Sequence, residues 1–188
     1  MVPLLSSFAV VALAEMGDKT QLLALVLGLR YRRPWTVMLG ILLATVLNHA
    51  LAASAGAWSA AWLDRQSLGW IVGLGFIAFG VWTLVPDRAE APTEESRWGP
   101  LVTTAVLFFL AEMGDKTQLA TLALGARFGA PAQVTVGTTL GMLAADGVAV
   151  AAGAHFADRV PLPLFRRAAA ALFFALGLVS LAVALGWW

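Results

Sequence analysis

The 188-residue chain has no cysteine, which excludes disulfides, thiolate metal sites and cysteine nucleophiles. Charge is scarce as well: 12% of the residues are Asp, Glu, Lys or Arg, and only two of those are lysines. Soluble domains carry about a quarter charged residues, so this chain could not cover its own surface in water. A hydrophobic content of 60% and a mean hydropathy of +0.83 point the same way. The net charge of +1 gives no footprint for nucleic acid. What remains is an all-α integral membrane protein.

Crossing the hydrocarbon layer takes about 20 mainly apolar residues. Six stretches qualify, at about 4–29, 35–62, 68–85, 100–126, 132–157 and 165–186. All eight tryptophans (35, 58, 62, 70, 82, 98, 187 and 188) fall near the ends of these spans, as interfacial anchors do. The first span is not expected to be a cleaved signal, because it lacks a basic leader and carries Glu15, Asp18 and Lys19 in its apolar run. Loops after spans one, three and five hold Arg30, Arg32, Arg33, Arg88, Arg97, Arg159, Arg166 and Arg167; the opposite side holds only Arg65 and Arg127. Positive-inside bias therefore predicts both termini outside and the central loop in the cytoplasm.

The segment Ala14–Leu22, AEMGDKTQL, recurs identically at Ala111–Leu119. At the same 97-residue offset, Gly28, Arg30, Pro34, Gly40 and Gly56 match Gly125, Arg127, Pro131, Gly137 and Gly153. Each half holds three spans. An odd number makes the second half enter the membrane from the other side, so the expectation is two inverted repeats, as in many secondary transporters. The organisation reads as a first repeat over 1–85, a linker over 86–99 and a second repeat over 100–188.

Five acidic residues lie inside the spans: Glu15, Asp18, Glu112, Asp115 and Asp146, together with both lysines, Lys19 and Lys116. An ionised group at mid-bilayer costs about 2.5–3.5 kcal/mol on the insertion scale, so such groups face the interior and serve transport. Glu15 and Asp18 are spaced to share a helix face, and Gly17 between them allows a close backbone approach or an opened helix. Four carboxylates with Thr20, Gln21, Thr117 and Gln118 form an all-oxygen set suited to calcium, manganese or magnesium. Four carboxylates and two lysines sum to −2, which one dication or two protons would neutralise. A bland rival is that Glu15–Lys19 and Glu112–Lys116 are i,i+4 ion pairs that only hold helices. Gly-Asp-Lys-Thr is not a phosphate loop, which needs Lys directly after Gly. Nor is it the G-x-G-D of membrane aspartyl proteases, because Glu15 and Glu112 stand where glycine is required.

The doubled E-x-G-D-K-T resembles the E-x-G-D-[KR]-[TS] signature of the GDT family of cation/proton exchangers. That family lies in the lysine-exporter superfamily and includes the Golgi transmembrane protein 165. The resemblance covers all six spans. It implies no enzyme activity and no cofactor, but proton-driven export of manganese or calcium from the cytosol of a bacterium. It also implies cation coordination by Glu15, Asp18, Glu112 and Asp115 with help from Thr20 and Thr117, while Lys19 and Lys116 modulate affinity. Outside the signature, Asp146 aligns through the repeat with His49, and both are candidates for a proton relay or charge modulation. His155 is expected at the interface. The partners expected are divalent ions, protons and the bilayer, with homo-oligomerisation left open. Rival functions are an amino-acid exporter, which the two lysines would disfavour, and a membrane scaffold that transports nothing.

Overall fold

The computed structural model describes residues 1–85, 98–152 and 162–187. The expected linker, apart from Trp98 and Gly99, and His155, Gly153, Arg88, Arg97 and Arg159 lie outside the described residues. Among the described residues eight helices follow in order: α1 (Val2–Glu15), α2 (Lys19–Tyr31), α3 (Pro34–Ala60), α4 (Arg65–Thr83), α5 (Pro100–Glu112), α6 (Lys116–Phe128), α7 (Pro131–Ala152) and α8 (Leu162–Ala184). There is no strand among the described residues. Four stretches are long and apolar enough to cross a bilayer, Pro34–Ala60, Arg65–Thr83, Pro131–Ala151 and Arg167–Ala184; α1 and α5 are apolar but shorter.

Local chemistry sets the boundaries. Proline opens α3, α5 and α7 and sits in the first turn of α1, where its missing N–H costs nothing. Arg32 and Gly129, both left-handed, close α2 and α6, each donating its backbone N–H to the carbonyl of Gly28 or Gly125 at 3.0 Å. Asp64 caps α4 by accepting from the amides of Gln66 and Ser67.

The stretches 4–29 and 100–126 differ from expectation. Each is not one helix but two, broken at the repeated motif. Glu15 and Glu112 end α1 and α5, Asp18 and Asp115 precede α2 and α6, and Gly17 and Gly114 sit between at φ 83° and 75°. A left-handed residue cannot continue a right-handed helix, and glycine adopts it without steric cost. Glu15 and Asp18 therefore do not share one helix face.

Packing is inside-out relative to a soluble protein. On α3, Leu39, Leu43, Leu47 and Leu51 are exposed while Thr45, Asn48 and His49 are buried beside Gly40, Ala44, Ala53 and Gly56. All seven tryptophans among the described residues are exposed. Small residues let backbones approach, which drives helix association where lipid offers no hydrophobic gain. A Cβ on Gly56 would lie 2.0 Å from the Leu122 carbonyl oxygen, and one on Gly125 2.3 Å from that of Ala53, so α3 and α6 cross in direct backbone contact.

Contacts recur with partners exchanged at the 97-residue offset. Gly80 meets Phe174 as Gly177 meets Ile77, and Phe76 stacks on Phe173 with ring centroids 6.1 Å apart. α4 and α8 pack together at this seam, α1 lies against α7, and α3 against both α5 and α6.

Gly56→Ala is expected to destabilise the purified protein by about 1–3 kcal/mol through overpacking. Gly75→Ala, where a Cβ would meet nothing within 4 Å, should stay within about 0.5 kcal/mol. Thermal unfolding in detergent compares the two.

Candidate functional site

The two broken helices bring their ends to the protein interior. Glu15, Asp18, Glu112, Asp115 and Asp146 are all buried, as are Thr20, Thr117, Asn48 and His49. The N-termini of α2 and α6 carry partial positive charge that favours the aspartates preceding them. The C-termini of α1 and α5 release carbonyls that a continuous helix would consume.

The lysines decide how this charge is balanced. Lys19 Nζ lies 3.0 Å from Asp115 Oδ1, and Lys116 Nζ lies 3.0 Å from Asp18 Oδ1. Each lysine thus reaches the aspartate of the other motif, not the glutamate one turn back on its own chain, so the local i,i+4 pairing is not what forms. The pairs differ in setting: the Lys116 side chain is 2% exposed and that of Lys19 33%.

The glutamates are treated differently. Among the described residues, neither oxygen of Glu15 has a hydrogen-bond partner, nor do Glu112 Oε1, both oxygens of Asp146 or the Thr20 hydroxyl. Glu112 Oε2 accepts from the Thr117 hydroxyl at 3.2 Å and has His49 Nε2 at 3.6 Å. Thr117 also reaches Asp115 Oδ2 at 3.4 Å. Asp146 lies within electrostatic reach of Glu15, Glu112 and Asp18. So the sequence candidates are brought to one place, and His49 and Asp146 join them from α3 and α7. Among the described residues, however, no three Asp, Glu or His side chains stand close enough together to hold one ion in this structure. The aspartates are instead drawn to the lysines.

The glutamines do something the sequence reading did not anticipate. Gln21 Oε1 accepts from the Gly17 amide and Gln118 Oε1 from the Gly114 amide, both at 2.7 Å. Gln21 Nε2 donates to the Ala145 carbonyl at 3.0 Å, and Gln118 Nε2 donates to Asn48 Oδ1. Each glutamine staples the turn shut and ties it to α7 or α3. The cue was an Asp followed three residues later by Gln, a variant of the capping box.

A family model described as "Divalent cation/proton antiporter GDT1" matches residues 3–91 and 100–187. The chain belongs to the GDT1 family. It is 46% identical over 175 residues to the "Putative manganese exporter" of Vibrio cholerae, covering 93% of this chain and 88% of that protein. It is 28% identical over 200 residues to "GDT1-like protein sll0615" of Synechocystis, covering 95% and 93% respectively. "GDT1-like protein 3" of Arabidopsis thaliana is 25% identical over 185 residues, covering 84% of this chain and 62% of its own. No solved structure matches. Membership of an antiporter family makes the chain a transporter and not an enzyme, and its apolar helices make it a multi-pass membrane protein.

Removing one partner of a buried ion pair leaves a charge uncompensated, at a cost of about 3–5 kcal/mol. Lys116→Met is therefore expected to destabilise strongly, and the half-exposed Lys19→Met less. Lys116→Met with Asp18→Asn should recover most of the loss. Chemical denaturation of the three variants reads out the order.

Proposed function

We propose that this GDT1 family member exports manganese, and secondarily calcium, from the cytoplasm in exchange for protons across the plasma membrane. Glu15, Asp18, Glu112 and Asp115 hold the cation, with Thr20 and Thr117 as neutral oxygen donors. Gln21 and Gln118 act beside them by fixing the turns, and Asp146 and His49 tune charge or pass protons. The observation that carries this reading is a set of buried carboxylate oxygens, on Glu15, Glu112 and Asp146, that no group among the described residues satisfies. Carboxylates in such a setting require a cation, a proton or water. Hard oxygen donors favour manganese and calcium over softer metals. The Vibrio cholerae relative named for manganese export supports that metal first.

The architecture we infer has six spans: α1–α2, α3, α4, α5–α6, α7 and α8, arranged as inverted repeats over 1–85 and 100–188 joined by a cytoplasmic linker. Support comes from the offset of 97 residues that relates the helix boundaries and the reciprocal contacts of the two halves. In this arrangement α1 and α6 lead to the outer surface, and α2 and α5 to the cytoplasm, with both termini outside.

Equivalent contacts on the two sides are not equally tight. A Cβ on Gly125 would fall 2.3 Å from the Ala53 oxygen, whereas one on Gly28 would keep 3.5 Å from that of Val150, the corresponding residue. α6 also packs on α4, and α1 on α8, where the corresponding α2–α8 and α5–α4 contacts are sparse among the described residues. With the orientation expected from the arginines, this asymmetry supports a carrier sealed outside and looser toward the cytoplasm, ready to load. A dication entering there displaces the lysine ammoniums from Asp18 and Asp115. The halves then exchange packings, and protons from outside release the ion.

Two experiments test this. In proteoliposomes with an imposed pH gradient, Asp18→Asn and Glu112→Gln should each slow manganese transport by at least about tenfold; undiminished transport by either would overturn the site. Gly28→Ala fits the present structure, since the nearest atom would lie 3.4 Å away. It should block the opposite packing, so thermal stability persists while transport falls. A variant that transports normally would show that the two sides do not exchange packings.

A further inference from the structure

Only two arginines break the positive-inside bias of the sequence, Arg65 and Arg127, and both line one cavity. It measures about 320 Å3 and lies between α4, α6 and α8, with Phe128, Ser180 and Val183 completing its wall. Arg127 donates one N–H to the Ser180 hydroxyl, which itself donates to the Leu176 carbonyl at 2.8 Å. The Arg127 guanidinium also lies 5.8 Å from the centre of the Phe128 ring. Neither arginine has a carboxylate partner among the described residues. The nearest acid in sequence, Asp64, is committed to the Gln66 and Ser67 amides and the Ser67 hydroxyl at 2.7–3.0 Å. Arg127, part-buried and bonded to a neutral hydroxyl, and the exposed Arg65 set two like charges at one cavity, a setting that suits an anion from outside.

A second observation narrows which anion. An apolar groove of about 190 Å3 shares Leu68 and Val72 with this cavity and continues along α4 past Ile71 and Gly75 to Phe79. A free inorganic ion has no use for such an extension; a hydrocarbon chain does. Trp58 and Trp62, with ring centroids 6.0 Å apart, stand at the adjoining end of α3 and mark the headgroup level. Arginine matches phosphate geometry with parallel N–H donors.

We propose that the cavity between α4, α6 and α8 binds the phosphate of one anionic phospholipid through Arg65 and Arg127, with an acyl chain lying in the Leu68–Val72–Phe79 groove. The site is separate from the carboxylate cluster and does not rest on the transport reading. Its position joins α6 to the α4–α8 pair, so a bound lipid reinforces the seal that α6 makes with α4.

The test uses the purified, delipidated full chain in mild detergent. Phosphatidylglycerol, phosphatidylcholine and inorganic phosphate are titrated separately. Native mass spectrometry follows bound lipid, and thermal unfolding follows stability. One phosphatidylglycerol is expected to remain bound and to raise the melting temperature, with neither phosphatidylcholine nor phosphate doing so. Arg65→Gln and Arg127→Gln should each weaken retention about fivefold, as expected for about 1 kcal/mol per basic residue, and the double variant more. Arg32→Gln with Arg33→Gln, at the opposite end of the bundle, should retain the lipid. If Arg127→Gln fails to fold, Arg65→Gln carries the test alone, because its side chain makes no internal hydrogen bond among the described residues. Equal retention by wild type and Arg65→Gln overturns the proposal. A matching stabilisation by inorganic phosphate also overturns it, in favour of a simple anion site.

Discussion

Charge buried in a medium that does not solvate it must be compensated by something equally buried, and here most of that compensation comes from the other half of the chain. Lys19 answers Asp115, and Lys116 answers Asp18. Neither half can neutralise its own aspartate with its own lysine in this arrangement, so the two are bound into one folding unit by electrostatics as well as by packing. The broken helices follow from the same need. A continuous helix would keep its carbonyls and amides for itself, whereas the turn at Gly17 or Gly114 presents a helix C-terminus and a helix N-terminus to the charged centre.

The packing divides the molecule into a firm part and a yielding part. Phe76, Phe79 and Phe173 cluster at the seam between α4 and α8, and Gly73 and Gly177 let the two backbones approach there. The broken helices, in contrast, depend on glycine crossings whose closeness differs from one side to the other. Close backbone contacts without interlocking large side chains can separate and re-form at modest cost, because little side-chain repacking is required. A yielding element is thereby placed beside a firm one.

Much of this was legible in the sequence. The apolar runs gave an all-α membrane protein and the positions of the long helices, and the identical nonapeptides pointed to acidic residues that the fold buries together. Two features were not legible, for separate reasons. Hydropathy averaged over a span is blind to a three-residue interruption, so Met16–Asp18 vanished into an apolar stretch; Gly17 left an opened helix as one of two readings, and its positive φ decides for the turn. The lysine pairing was ambiguous because Glu15–Lys19 satisfies the i,i+4 rule as well as any helix pair does. Once the helix breaks between those residues, the rule no longer applies, and each lysine pairs with the aspartate of the other half. The glutamines were misread in emphasis: their oxygens look like ligands by type, yet in this structure they are spent on the Gly17 and Gly114 amides.

The halves depart from one another at one chemically important position. Through the 97-residue offset, His49 on α3 corresponds to Asp146 on α7. His49 faces Glu112 at 3.6 Å, whereas Asp146 adds a further carboxylate within electrostatic reach of Glu15, Glu112 and Asp18. Identical motifs in identical surroundings would present a cation with the same environment at both ends of a transport cycle. An imidazole on α3 where α7 carries a carboxylate removes that equivalence. The duplicated signature thus places the same acidic turn in both halves, and the His49–Asp146 difference makes the surroundings of the two turns unlike.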